Sequence, residues 1–248
     1  MSMTEIIAIV QARMGSTRLP GKVMMNLIGK PMLVHELSRI ARSKQIMSFV
    51  VATTTSKSDD CIVSLCKDQN WHYFRGNEAD VLDRYYQCAK QYSANIIVRL
   101  TADCPLIDPI LIDRVIEEFI HKSPDVDYVS NIIPKRTFPQ GLDTEVLSFS
   151  ALERSWIEDT NPTLREHVTQ YILRNPDKFK ISGVMNDRDL SNLRWTVDTK
   201  EDFKLINEVY SFFGNNQFSW SDVLDLMNKK PELRLINQNV RQKEVTLA

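Results

Sequence analysis

Residues 11–23, "QARMGSTRLPGKV", set Arg13, Arg18 and Lys22 around Gly15 and Gly21, directly after the apolar run "IIAIV". The chain has only 7 glycines, so two of them in one short cationic stretch need a reason. Glycine lets a backbone turn sharply and approach a ligand closely. Successive backbone N–H groups in such a turn make an anion-binding concavity, and three cations add the charge that a triphosphate needs. Alone, the stretch also reads as a solvated surface loop. It is not a Walker A loop, because Val23 stands where GxxxxGK[ST] requires Ser or Thr, and it is not GxGxxG. Two carboxylates complete the set, Asp103 in "RLTADCPLIDP" and Asp198 in "RWTVDT". Either one alone could cap a turn, as Asp108 is expected to cap the next helix. Jointly, at two strand ends beside a cationic loop, they suit Mg²⁺, which takes one or two carboxylates plus phosphate oxygens and water.

Placing these groups requires a sheet. "IIAIVQA", "FVVATTT", "WHYFRG" and "NIIVRLTAD" predict strands. Between and after them, "PMLVHELSRIARS", "DDCIVSLCKDQN", "EADVLDRYYQCAKQYS" and "DPILIDRVIEEFIHKS" predict helices, with Pro31 and Pro109 near their starts. This alternation predicts an α/β fold with a mostly parallel sheet covered on both faces, whose ligands bind beyond the carboxyl ends of the strands. After about residue 124 the rhythm loosens. "DYVSN", "LDTEVLSFS" and "NLRWTVDT" read as strands and "IIPKRTFPQG" as a loop. "LREHVTQYILRN" reads as a helix, "KEDFKLINEVYSFFG" as a helix closed by Gly214, and "SWSDVLDLMNKK" as one capped by Ser219 or Ser221. The tail "RQKEVTLA" is expected to fray. The pattern fits one domain over 1–248 with an inserted subregion near 130–190. Trp71, Trp156, Trp195 and Trp220 are expected in the core.

The bulk numbers narrow the function classes. The net charge of −1 over 248 residues leaves no footprint for nucleic acid or an anionic membrane. The first apolar run is short and lacks a basic leader, so neither a signal peptide nor a membrane span is expected. Cys61, Cys66, Cys88 and Cys104 form no CxxC pair and read as reduced thiols of a cytoplasmic protein, Cys61 and Cys66 packing on or beside a helix face.

The stretch "QARMGSTRLPGKVMMNLIGKPML" resembles the signature of sugar nucleotidyltransferases with a GT-A-like, Rossmann-like fold. With "VVATTT", "RGNEADVLDRYY", "RLTADCPLIDP", "GLDTEV", "LREHVTQYI" and "RWTVDTKED" in order, most of the chain is similar to the cytidylyltransferase-like family of spore-coat polysaccharide biosynthesis, related to the CMP-Kdo and CMP-acylneuraminate synthetases. The resemblance implies that the loop from Ala12 to Lys22, including Gly15, Ser16 and Arg18, wraps an NTP triphosphate, with Arg13 and Lys22 as its main cationic contacts. It implies metal-binding roles for Asp103 and Asp198, a base and ribose pocket at Ala52 and Thr53, and a nucleotide-covering segment at Arg75, Gly76 and Asp80, with Arg99 beside it. Asp143, Glu145, Arg165, Glu166 and His167 would lie near the sugar, although as residues they also read as turn and helix-surface groups. Ala102 stands where the Kdo enzymes usually have Gly, and the acylneuraminate enzymes usually carry a loop richer in glycine and lysine, so the resemblance does not name the sugar.

The expected reaction is nucleotidyl transfer. A sugar hydroxyl or carboxylate oxygen attacks the α-phosphorus of an NTP, CTP being favoured, and pyrophosphate leaves, with Mg²⁺ as cofactor and an acidic sugar as the acceptor class. A homodimer is implied by the relatives. Two rivals stay open here. One is a glycosyltransferase of the same fold, for which "DVD" at 125–127 would have to serve as the metal motif. The other is a non-catalytic nucleotide-binding module.

Overall fold

The computed structural model describes residues 5–242. Four strands follow the alternation read from the sequence: β1 (Ile6–Gln11), β4 (Ser48–Thr54), β5 (His72–Gly76) and β6 (Ile96–Thr101), β2 (Asn26–Leu27) and β3 (Lys30–Pro31) being a separate two-residue hairpin. Their side chains alternate between two cores. Ile6, Ala8 and Val10 of β1 pack on one face and Ile7 and Ile9 on the other, the period of a strand buried on both sides. Later strands β7 (Tyr128–Ser130), β8 (Glu145–Ser148) and β9 (Ile181–Gly183) extend the same sheet in the order β5-β4-β1-β6-β8-β7-β9. β8 alone runs antiparallel to its neighbours β6 and β7, so the sheet is mixed but mostly parallel.

The helices cover the faces. α1 (Met32–Ile40), α2 (Asp60–Asp68), α3 (Val81–Gln91) and α4 (Pro109–Lys122) follow β3, β4, β5 and β6. Cys61 and Cys66 lie on α2, Cys66 buried. α4 starts as its residues dictate: Asp108 accepts from the Ile110 and Leu111 amides at 2.9 and 3.2 Å, Pro109 takes the first turn, and Leu111, Ile112, Val115, Ile116 and Phe119 form the buried stripe. The other oxygen of Asp108 accepts from the Trp220 amide at 2.9 Å. One carboxylate thus caps α4 and holds the start of α9 (Trp220–Lys229). Asp108→Ala is therefore expected to cost about 2 kcal/mol, the sum of a lost cap and an orphaned amide, read from urea unfolding.

Further along, α5 (Phe149–Glu158) precedes a departure from the sequence reading. The single helix expected over "LREHVTQYILRN" is broken into α6 (Pro162–Glu166) and α7 (Gln170–Arg174). Between them Val168 is left-handed, with φ +57°, and buried in the core, while Thr169 turns its hydroxyl to Glu145 at 2.5 Å. Burial of those two side chains outweighs helix continuity. The strand expected over "NLRWTVDT" is absent: residues 192–198 make one isolated bridge, Gln140 to Arg194, outside the sheet. α8 (Lys200–Phe213) then begins at a Thr199–Asp202 capping box and ends at Gly214, with φ +65°. Ser219, not Ser221, caps α9. Of the four tryptophans only Trp195 is fully buried; Trp71, Trp156 and Trp220 are half-buried against the core. Most of the tail expected to fray, 243–248, lies outside the described residues. Among the described residues no helix is long and apolar enough to cross a membrane.

Candidate active site

The cationic loop leaves the carboxyl end of β1 between β4 and β6, and its shape follows from its anchors. Ala12 donates to the Ala52 carbonyl at 3.1 Å. The amides of Ser16 and Gly21 both donate to the Met14 carbonyl at 2.9 Å, and Leu19 is buried. Of the two glycines it is Gly21 that adopts φ +73°. Gly15 has no left-handed φ, and a Cβ there would meet only the Glu78 carboxylate at 3.4 Å. The bond from Ser16 to Met14 closes a tight turn centred on Gly15, and Gly21 makes the left-handed one.

Below the loop lies a residue that sequence reasoning missed. Asp59, 1% exposed, accepts from the Met14 amide at 2.8 Å, the Thr53 hydroxyl at 3.0 Å and the Thr54 hydroxyl at 2.5 Å. Burial would raise its pKa, but these hydrogen bonds outweigh burial and hold it below the ordinary aspartate value. Its signal was the threonine run "TTT" six residues before an aspartate pair. Ala52 and Thr53, expected at the base and ribose pocket, are 0% exposed and lie beneath the loop.

Lys22 is the centre of the arrangement. Its side chain is 9% exposed, and Nζ donates to Asp103 Oδ2 at 2.9 Å, Asp198 Oδ1 at 2.9 Å and the Val197 carbonyl at 2.7 Å. Arg18 reaches Asp198 Oδ2 at 2.8 Å. Asp198 reaches this place without a strand because the Val197 amide donates to the Asp103 carbonyl at 2.8 Å, and the Thr196 hydroxyl to the same oxygen at 3.1 Å. Burial by itself would lower the Lys22 pKa, but the two carboxylates outweigh it and hold it above the usual lysine value. Likewise burial would raise Asp103, yet Lys22 and the Thr101 hydroxyl hold it below its ordinary value. Lys22 was expected to face a triphosphate; here its ammonium bridges the aspartates instead.

A cation lodged between two carboxylates shows what the donor set accepts. Among the described residues no group of three His, Cys, Asp or Glu side chains could hold a metal ion. Two carboxylates at a strand-end loop fit an ion that draws the rest of its shell from phosphate and water, as Mg²⁺ does.

A family model described as cytidylyltransferase matches residues 7–239. The chain belongs to the cytidylyltransferase family. It is 33% identical to the spore coat polysaccharide biosynthesis protein SpsF of Bacillus subtilis, over 93% of this chain and 97% of that protein. It is 36% identical to the 3-deoxy-manno-octulosonate cytidylyltransferase of Trichlorobacter lovleyi over 124 residues, 47% of this chain and 45% of that enzyme. The solved structure of a cytidylyltransferase from Leptospira borgpetersenii superposes with TM-score 0.90 at 35% identity, covering 97% of this chain and 99% of that one. The fold is that of the nucleotide-diphospho-sugar transferases, and the enzyme is a nucleotidyltransferase.

The remaining expected site residues of this cytidylyltransferase fall into neighbouring clusters. Arg13, half-exposed, lies 3.8 Å from Glu166. Arg99 pairs with buried Glu145, which also accepts from Tyr128 at 2.8 Å and from Thr169. Burial would lower the Arg99 pKa, but Glu145 outweighs it and raises it. His167, half-buried, is held below the ordinary histidine value by burial and by the Arg99 charge. Asp143 is paired to Arg136 through both its oxygens.

Three residues expected at the nucleotide also make bracing contacts within the chain. Arg75 spends its guanidinium on the Thr54 carbonyl, the Ser56 carbonyl and Asp60 at 2.7–2.8 Å. Gly76 packs on the Arg84 stem. Asp80 caps α3 and accepts from Arg165 at 2.8 Å, and Arg165 also donates to the Trp156 and Asp159 carbonyls, which ties α3 to α6 and takes Arg165 out of the sugar cluster.

Proposed function

We propose that this cytidylyltransferase transfers CMP from CTP to an oxygen of an acidic sugar and releases pyrophosphate, in the making of a surface polysaccharide or glycoconjugate. The observation that carries the reading is the bridge of Lys22 between Asp103 and Asp198, with Arg18 on the outer oxygen of Asp198. Carboxylates and mobile cations in balance at the mouth of a strand-end loop are what a polyphosphate and its counter-ion exchange with. The sugar class rests on the octulosonate cytidylyltransferase and on the polysaccharide role named for SpsF. A cytoplasmic homodimer belongs to the same reading, by analogy.

In this mechanism the chain works by position and charge. Arg13 and Arg18, each on the loop and partly open to solvent, steer and hold the triphosphate. Lys22, once released from the aspartates, neutralises charge growing on the departing pyrophosphate. Asp103 and Asp198 would hold Mg²⁺, which supplies charge neutralisation on the phosphates and lowers the pKa of an attacking hydroxyl. The oxygen–phosphorus bond to the sugar forms as the bond between the α- and β-phosphoryl groups breaks. No side chain has to form a covalent intermediate.

The glycosyltransferase reading lacks its metal motif. Asp125 and Asp127 follow α4 at the amino end of β7, where Asp127 accepts from the Lys180 amide at 2.9 Å and its carbonyl accepts from Ser148, which pairs with Ile96 at the opposite end of β6 from Asp103. The test is a thermal-shift screen of CTP, UTP, ATP and GTP with Mg²⁺. A bound ligand raises the melting temperature through RT ln(1 + [L]/Kd). CTP alone is expected to do so. A shift with another nucleotide only would replace CTP, and no shift with any would sink the proposal.

A further inference from the structure

Asp198 lies outside the sheet, so something other than strand pairing must hold its carboxylate still. Three cations touch it, and they are not alike. Lys22 and Arg18 come from the cationic loop. The third, Arg194, approaches from behind, with its side chain 7% exposed. Its Nη2 donates to Asp198 Oδ2 at 2.7 Å and to Asp202 Oδ2 at 3.1 Å, and its Nε to Asp202 Oδ1 at 2.9 Å. Its Nη1 donates to the Gln140 and Gln242 side chains at 3.1 and 2.6 Å. The guanidinium thus uses its whole fork of donors. Asp202 is wholly buried and accepts from the backbone amides of Asp198 and Thr199, both at 3.0 Å. Asn237 locks the pair from the other side, donating to Asp202 Oδ1 at 2.8 Å and to the Arg194 carbonyl at 3.0 Å. Asp198 is therefore gripped by its side chain through Arg194 and by its main chain through Asp202.

We propose that Arg194 is a positioning residue that, together with Asp202, fixes the Asp198 carboxylate in the orientation in which it receives a divalent cation with the nucleotide. This rests on the nucleotidyl-transfer reading above. A fork that bonds two carboxylates at once is a job for arginine; a lysine could keep the charge but hold only part of the geometry. Partners that orient a ligand carboxylate typically contribute 10- to 100-fold to metal affinity.

The experiment is calorimetric titration of the full chain with CTP, once with Mn²⁺ and once with EDTA; the ratio of the two affinities isolates the cation's share. The variants are Arg194→Gln, Arg194→Lys and the double variant Arg194→Gln/Asp202→Asn, which removes both buried charges and keeps the fold testable if the single variant melts. The ratio is expected to fall at least about tenfold in Arg194→Gln and in the double variant, with Arg194→Lys between them and the wild type. Metal-free CTP affinity should change little. If Arg194 only competed electrostatically for Asp198, its removal would raise the ratio; if it were only structural, melting temperatures would drop and the ratio would stay. Either result overturns the proposal. A wild-type chain that binds CTP under neither condition overturns the nucleotide reading and this inference with it, whereas wild-type binding with an unchanged variant ratio overturns this inference alone.

Discussion

Lys22→Met is expected to lower stability by about 3 kcal/mol, to cut pyrophosphate release about a hundredfold and to make melting depend on pH between about 5 and 7, where this cluster leaves the wild type flat. Removing one partner of a buried ionic cluster leaves the other charges uncompensated, and that is the costly direction. The side chains of Asp103 and Asp198 are 26% and 12% exposed, so solvent screens them in part and the loss falls at the low end. In the wild type Asp103 is held below its ordinary value of 3.8, so its contribution is present above that value and fades as pH falls through the lower folded one. Lys22 is held above 10.5, so its contribution is present below that value and fades as pH rises through the higher folded one. From about pH 5 to 9 neither titrates, and this cluster leaves the melting temperature flat. Without the ammonium, Asp103 loses the charge that offsets its burial, and its carboxyl is driven to take up a proton. The variant should therefore melt higher at pH 5 than at pH 7, read by calorimetry across that range. Asp103→Asn, whose amide oxygen can still accept from Lys22, is expected to melt near the wild type yet lose turnover to a similar degree. Near-normal turnover with Mg²⁺ in that variant would remove Asp103 from the metal site.

Gly141→Ala is expected to cost about 3–5 kcal/mol. Gly141 has φ +100°, and a Cβ there would lie 2.5 Å from the Thr196 amide nitrogen and 2.6 Å from the Trp195 carbonyl carbon. Both are backbone atoms, so no rotamer change relieves the clash. The chain at 195–196 has to move, and it carries Asp198 two residues on. Denaturant unfolding should show the loss of stability, and the folded fraction should also show weakened metal-dependent nucleotide binding. A variant with wild-type stability would mean that the turn can rearrange without moving the 190s segment.

How much of this could be read from the residues differs by region. Up to α4 the strands and helices declared themselves, because strands buried on both faces are continuously apolar and the helices between them carry stripes at helical spacing. Residues 193–197 misled for a physical reason. Leu193, Trp195 and Val197 alternate with polar residues as in a strand, but Arg194 and Thr196 are buried too, and the backbone bonds of the segment go to Gln140 and to the loop at Asp103, not to a sheet edge. Lys22, Asp103 and Asp198 were legible as charges by type, and Asp103 by its place just past β6, whereas the strand expected to end at Asp198 is absent. Which way a long cation turns was not: Arg75 and Arg165 sit in the right segments but aim at carbonyls and helix caps. Arg194 and Asp202, four residues to either side of Asp198, fell in the expected strand and at the start of the expected helix, and nothing in their spacing says that both are buried.

Lys22 and Asp198 meet across 176 positions of sequence, and Asn237, still later in the chain, closes the rear of the same cluster on Arg194 and Asp202. Contacts so far apart form late in folding, after the closure entropy of a long stretch of chain has been spent. A chain emerging from the ribosome would build the strands of its amino-terminal half with the cationic loop already made but with no aspartate pair to hold it. Nucleotide binding therefore arrives only once the segment that carries Asp198 has been made and docked, and a bound nucleotide reports that this docking has taken place.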